Sequence, residues 1–290
     1  MGSFKALCIA GVASLAALST ASAADLFLPP PPPVEPAYVP VEFSGAFYLR
    51  GDVGAGALQL RNGSSSFNPD IPYGTANGAP RGFAIQGASA SEQVIVDGGV
   101  GYQFNRYFRA DVTGEYRFGA AYRSVETYAG GVNFNPGSDG YKGNISSGVI
   151  LLNGYVDLGT WYCITPYVGV GVGTAFNTFS GVTDYNLSNN GVASGSSSSN
   201  THTSLAYAFM AGFTYNLTQN LKLDLGYRYL DLGRATSGAI NCYGGTAVCG
   251  DNSRERQSYH LASHDIRLGM RYMFADFAPA PSIYPLVRKY

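Results

Sequence analysis

Phe108-Arg109-Ala110-Asp111-Val112-Thr113-Gly114-Glu115-Tyr116-Arg117-Phe118 is the stretch that decides the fold. Every even-numbered residue in it is apolar, aromatic or glycine, and every odd-numbered one is charged or carries a hydroxyl. Successive side chains of an extended chain point to opposite faces, so this period of two predicts a strand with one apolar and one charged side. A helix would space its apolar residues three and four apart.

Seven more segments alternate in the same way, at about residues 45–59, 92–104, 146–158, 164–176, 203–216, 220–231 and 258–274. In 220–231, Leu221, Leu223, Leu225, Tyr227 and Tyr229 oppose Lys222, Asp224, Gly226 and Arg228. In 258–274, Ile266, Leu268, Met270, Tyr272 and Phe274 oppose Asp265, Arg267, Gly269 and Arg271. The strand cores hold fourteen charges: Arg50, Asp52, Asp97, Arg109, Asp111, Glu115, Arg117, Asp157, Lys222, Asp224, Arg228, Asp265, Arg267 and Arg271. All lie in the phase opposite the large apolar residues.

The connections alternate too. Those at residues 105–106, 159–163 and 217–219 are short, whereas those at about 60–91, 119–145, 177–202 and 232–257 are long and rich in Gly, Ser and Asn. Long links at one end and short turns at the other are the layout of outer-membrane barrels. A soluble sandwich would also alternate, but four long loops at one end do not suit a compact domain. After the first residues no run reaches the ~18 apolar residues of a transmembrane helix. A closed barrel is then the remaining way to cross a bilayer, because each backbone group bonds to a neighbouring strand. The predicted class is therefore all-β: an eight-stranded antiparallel up-and-down transmembrane β-barrel with four long extracellular loops, covering residues 43–274. Eight strands leave an interior just wide enough for side chains to fill it. Seven acids against seven bases predict a mutually paired plug there, since a lone buried charge costs several kcal/mol.

Aromatics gather at the strand ends, as interfacial girdles require. Tyr102, Phe104, Phe108, Phe213, Tyr215, Tyr272 and Phe274 lie toward the short turns; Tyr116, Phe118 and Tyr229 lie toward the long links. Scarce charge (13%) beside 22 Tyr and 38 Gly fits a surface that faces something other than water. The small imbalance of charge, with no basic run beyond Arg288-Lys289, gives no support to a nucleic-acid partner.

Residues 1–23 read as a secretory signal peptide: Lys5, an apolar run over 6–18, and the small-residue cleavage site Ala21-Ser22-Ala23. Residues 24–42, with Pro29-Pro30-Pro31-Pro32-Pro33, read as a proline-rich periplasmic segment, and 275–290 as a periplasmic tail. Export to an oxidising compartment makes Cys242 and Cys249 the expected disulfide and leaves Cys163 over.

Tyr48-Leu49-Arg50-Gly51-Asp52-Val53-Gly54, Thr165-Pro166-Tyr167-Val168-Gly169-Val170-Gly171-Val172-Gly173 and the run from Leu221 to Gly233 resemble the small outer-membrane β-barrel surface proteins of alphaproteobacteria. These surface antigens are related to the OmpA-like transmembrane barrels, and the likeness covers about residues 43–274. The resemblance implies an outer-membrane location, with lipid, lipopolysaccharide and the barrel-assembly machinery as partners. Arg267, Gly269, Tyr272 and Phe274 resemble the assembly signal of a final strand, although sixteen residues follow Phe274 here.

Some members of that family bind haem, which makes His202, His260 and His264 the candidate contacts. On a strand, however, His260 and His264 stand about 13 Å apart and cannot share one axial site. Ser258, Ser263 and Asp265 lie near the histidines in sequence, but nothing in that spacing specifies a catalytic triad. The expectation is a non-enzymatic surface barrel that displays its loops and needs no cofactor, with no metal site. A haem or small-ligand receptor and a narrow diffusion pore are the alternatives.

Overall fold

The computed structural model describes residues 45–66, 81–129, 136–188, 194–243 and 255–274. The expected signal peptide, proline-rich segment and tail lie outside them, as does Cys249.

Among the described residues, eleven strands form one antiparallel sheet: β1 (Ala46–Ser66), β2 (Arg81–Ala90), β3 (Glu92–Gln103), β4 (Phe108–Ala129), β5 (Gly137–Asp157), β6 (Ile164–Asn186), β7 (Ser194–Ser197), β8 (Asn200–Asn216), β9 (Leu221–Thr236), β10 (Ile240–Tyr243) and β11 (Arg256–Met273). Eight of them close a ring in the order β1, β3, β4, β5, β6, β8, β9, β11, with β11 pairing back onto β1. The ring has no free edge, so its backbone polar groups are satisfied strand to strand. β2 continues the line of β3 along β4, the two joined at Ser91, whose N–H donates to Ala121 O at 3.0 Å. β7 adds to β6, and β10 to β7, at the long-link end.

The alternation sorts the faces as expected. On β4, Arg109, Asp111, Thr113, Glu115 and Arg117 are buried, while Phe108, Val112, Tyr116 and Phe118 are exposed. The ten residue steps from Phe108 to Phe118, on a strand tilted as barrels require, rise about 25 Å along the barrel axis, the height of an apolar membrane band. The outward aromatics bound that band. Phe47, Phe104, Tyr272 and Phe274 ring the short-turn end, and Tyr116, Phe118, Tyr207 and Phe209 ring the other.

The strands do not stop where the alternation in sequence fades. The four long links were expected to be loops over 60–91, 119–145, 177–202 and 232–257, yet β-structure runs deep into each. β4 and β5 stay paired as far as Tyr128↔Gly137, and β6 runs on to Asn186. The physical reason lies in register shifts. Between Arg117 and Ala120 the β4–β5 register slips, so Phe118-Gly119 break the period of two and Ala120, Tyr122, Ser124 and Glu126 take over the inner face. A similar slip follows Lys142 on the β5–β6 ladder. Beyond the slips the outer face carries Arg123, Thr127 and Lys142 with only scattered apolar residues such as Val125 and Tyr185, so the ladder continues without an apolar stripe to announce it.

A second, apolar core fills this outer part of the ring. Tyr122, Phe179 and Tyr259 pack together, with Tyr122 and Phe179 rings 5.2 Å apart and the Tyr122 hydroxyl 2.8 Å from that of Tyr259. Leu58, Ile145, Val182, Leu230, Leu232 and Leu261 surround them.

Candidate functional site

The lumen inside the membrane band is filled from the inner faces of all eight ring strands. Of the fourteen expected luminal charges, twelve are buried, and Asp97 and Lys222 are half-buried. They form three tiers. Nearest the short turns, Arg109 Nε pairs with Asp157 at 3.1 Å, and Arg271 Nε pairs with Asp224 at 2.5 Å. The Arg109 guanidinium carbon lies over the rings of Tyr155 (3.9 Å) and Tyr167 (4.7 Å), a cation–π contact, and among the described residues its two Nη atoms have no hydrogen-bond acceptor. Lys222 Nζ approaches Gln103 Oε1 at 3.4 Å. In the middle tier Arg50 bridges Asp52 (2.7 Å) and Asp111 (2.9 Å), while Arg267 bridges Asp52 (2.8 Å) and Asp97. Tyr48 and Arg50 both donate to Asp111 Oδ2 at 2.9 Å.

The upper tier is a closed quartet. Arg117 contacts Glu115 (3.0 Å) and Asp265 (2.8 Å), and Arg228 contacts the same two acids at 2.7 Å each. Ser263 Oγ donates to Asp265 Oδ1 at 2.5 Å. Two glycines make room for these groups. A Cβ on Gly56 would overlap Asp265 Oδ1 and Arg117 Nη2, and one on Gly269 would overlap Asp52 Oδ1. Gly269 thus has a steric role that its place in the expected assembly signal did not reveal. The cavity left within the network, beside Arg50, Asp52, Tyr155, Tyr167, Asp224 and Arg267, is about 10 Å³, room for one water. Such an arrangement cross-braces strands.

The histidines are not brought together. His260 and His264 point outward from β11, His260 Nε2 to Asp231 Oδ2 at 2.7 Å and His264 Nδ1 to the Tyr227 hydroxyl at 2.6 Å. His202 lies in the inner phase of β8, its Nδ1 3.1 Å from Ser204 Oγ. Among the described residues, no group of three or more His, Cys, Asp or Glu side chains is arranged to hold a metal ion. Cys163 is free and exposed in the turn between β5 and β6. Cys242 lies on β10, whose partner β7 pairs with the far end of β6. The expected Cys242–Cys249 bond falls outside the described residues.

One feature above the band was missed in the sequence. Glu126 and Glu255, from β4 and from the bridge that precedes β11, share Gln257 Nε2, which lies 2.9 Å from Glu126 Oε2 and 2.7 Å from Glu255 Oε1. Ser65 and Tyr141 also donate to Glu255, at 2.6 and 3.0 Å. Burial, and then the neighbouring Glu255 charge, push the Glu126 carboxyl up to about 8. No periodic signal marks this pair, because both acids sit beyond a register slip or outside a strand.

Residues 100–250 match the family described as Opacity family porin protein. An uncharacterized protein of Brucella abortus (strain 2308) is 30% identical over 278 residues, spanning 90% of this chain and 95% of its own. A Rickettsia felis protein that bears the name "Putative adhesin" is 28% identical over 239 residues, spanning 80% of this chain and 89% of its own. Among solved structures, the outer membrane protein OprG from Pseudomonas aeruginosa is 19% identical, covers 80% of this chain and 97% of its own, and superposes with a TM-score of 0.44. With the family match spanning half of its length and the Brucella relative nearly all of it, this chain belongs to the Opacity family of porin proteins and is a β-barrel of the bacterial outer membrane.

Proposed function

We propose that the protein is a plugged barrel that holds an extended β-rim above the outer membrane for contact with other surfaces, without catalysis. The observation that carries this reading is the continuation of the ring strands past the aromatic belt. From Phe118 the paired β4–β5 ladder rises roughly another 25 Å to Tyr128↔Gly137. Its own core of Tyr122, Phe179 and Tyr259 stiffens it. A rigid stalk lowers the entropy lost when the segments it carries meet a partner. The adhesin name of the Rickettsia felis relative agrees with such a role. Below the rim, the filled lumen favours display over permeation. We also read Arg267, Gly269, Tyr272 and Phe274 as the signal that delivers β11 to the barrel-assembly machinery.

Bacteria displaying the full chain, or a variant with residues 67–80 replaced by a short Gly-Ser linker, are compared for adherence to host-cell monolayers. The reading expects adherence with the full chain and its loss with the variant at equal surface amounts. Equal adherence by cells lacking the protein contradicts it.

A further inference from the structure

Outside the lumen, the register sets basic side chains next to one another on the outward face. Arg61 of β1 stands opposite His260 of β11, which stands opposite Arg234 of β9. In another sector, Arg123 of β4 faces Lys142 of β5. Arg123 and Lys142 are like charges directly opposite one another, an arrangement that destabilises a sheet unless something lies between them. Inside the barrel each arginine has a carboxylate. On this rim, among the described residues, no carboxylate pairs with Arg61, Arg123, Lys142 or Arg234. Asp231, the acid beside the first row, is already shared by His260 (2.7 Å), the Tyr207 hydroxyl (3.1 Å) and Gly233 N (2.9 Å). Arg61 reaches the Tyr229 hydroxyl at 3.3 Å, and Lys142 Nζ lies 5.9 Å from the Tyr185 ring.

The height of the rows narrows the partner. Tyr229 of the aromatic belt is level with His264, and the first row is four residues higher, about 10 Å along the axis. A phospholipid headgroup layer adds only about 5–8 Å to each side of the hydrocarbon. Anions at the height of the rows belong to a taller, sugar-bearing headgroup. About 20–30 Å down the strands from Arg123 and Lys142, a lipid-facing groove of about 550 Å³ is floored by Gly98, Gly114 and Gly148 and walled by Tyr116, Ile150 and Phe176. Added Cβ atoms on those three glycines would meet at most one backbone atom, so the floor is open to an acyl chain.

We infer that the two rows of basic residues, through Arg61, Arg234, Arg123 and Lys142, form a belt that binds the anionic headgroup of a phosphorylated glycolipid in the outer leaflet, with an acyl chain lying in the glycine-floored groove. This goes beyond the display role and does not depend on adhesion.

The test uses the full chain folded in detergent, with native mass spectrometry counting retained rough lipopolysaccharide (lipid A with core sugars) or phosphatidylglycerol. Lipopolysaccharide is expected to be retained about tenfold more tightly. The pairs Arg123→Ser with Lys142→Ser, and Arg61→Ser with Arg234→Ser, should each weaken retention by about tenfold. Arg106→Ser, at the short-turn end, should leave it unchanged. Raising NaCl from about 0.05 to about 0.5 M should displace the glycolipid from the unmodified protein. Each variant is scored only where its heat-modifiable gel mobility shows a folded barrel; the salt titration of the unmodified protein decides where one fails to fold. Equal retention of both lipids, an effect of Arg106→Ser as large as that of either row, or indifference to salt overturns the proposal. So does displacement of lipopolysaccharide by an equally charged soluble glycan at equal concentration, which would make the rim a glycan-binding face.

Discussion

Arg228 is the residue on which the upper luminal quartet turns. It is 1% exposed and touches both Glu115 and Asp265, so its loss leaves two buried acids to one arginine. Breaking a buried pair from one side costs about 3–5 kcal/mol. Arg228→Met should therefore lower unfolding stability in lipid vesicles by about that much, read from urea titration of the refolded barrel, whereas Val100→Ala on the lipid face should change it little. At the other end, Trp161 and Ile164 close a two-residue turn through paired backbone hydrogen bonds of 2.8 and 2.9 Å. Its central residues, Tyr162 and Cys163, have φ of 48° and 68°. Left-handed backbone costs a side-chain-bearing residue about 1–2 kcal/mol, and Asn-Gly is the pair suited to this turn. Tyr162→Asn with Cys163→Gly should raise stability by about 1–2 kcal/mol in the same titration. At this scale the charged phase was legible, because each charge obeyed the period of two; Gly56 and Gly269 were not, because what they make room for comes from other strands.

Among the elements, the ring strands were readable through their membrane-spanning halves and unreadable beyond them. Periodicity needs an apolar face, and above the aromatic belt the outer face meets water. β2 and β7, built from small residues such as Gly87-Ala88-Ser89-Ala90 and Ser196-Ser197, are held by backbone pairing to β4 and β6, with only Ile85, Ala88 and Ala90 of β2 packing on the upper core, too sparse a pattern to announce a strand. The lipid-facing phase of β9 makes a sharp prediction. Leu225, 52% exposed, stands near mid-band, level with Leu268 and Phe213. Leu225→Arg should cost roughly 2–4 kcal/mol or block assembly, seen as loss of the heat-modifiable band in membrane fractions. Equal insertion of the variant would mean the faces are reversed. The upper core responds to pH instead. Glu126 faces Glu255 from the bridge before β11, with Tyr141 of β5, Tyr259 of β11 and Asp184 of β6 around the pair. Its carboxyl is raised from the ordinary 4.5 to about 8, so the folded rim holds a proton that the unfolded chain releases. The stabilisation is complete below about 4.5 and is lost as pH rises through about 8. Hydrogen exchange of the 124–127 amides, corrected for intrinsic rate, should quicken over that window, and Glu126→Gln should flatten the response.

The whole molecule is two stacked cores inside one closed sheet: a salt-bridged plug within the membrane and an aromatic core above it. The plug could be foreseen from composition, because seven acids balance seven bases in one phase, but which acid meets which base depended on the closure of the ring. The upper core could not, since its residues reach the interior only after the registers slip. Together they make the central claim, a family member described as a porin whose own lumen is shut. Purified, refolded full-length protein inserted into a planar lipid bilayer tests it most directly. The plugged lumen predicts a silent membrane, with no stable steps of conductance under an applied voltage, because the cavity within the charge network holds about one water. Stable, long-lived openings on the order of a nanosiemens, the size expected of a water-filled porin channel, would contradict it.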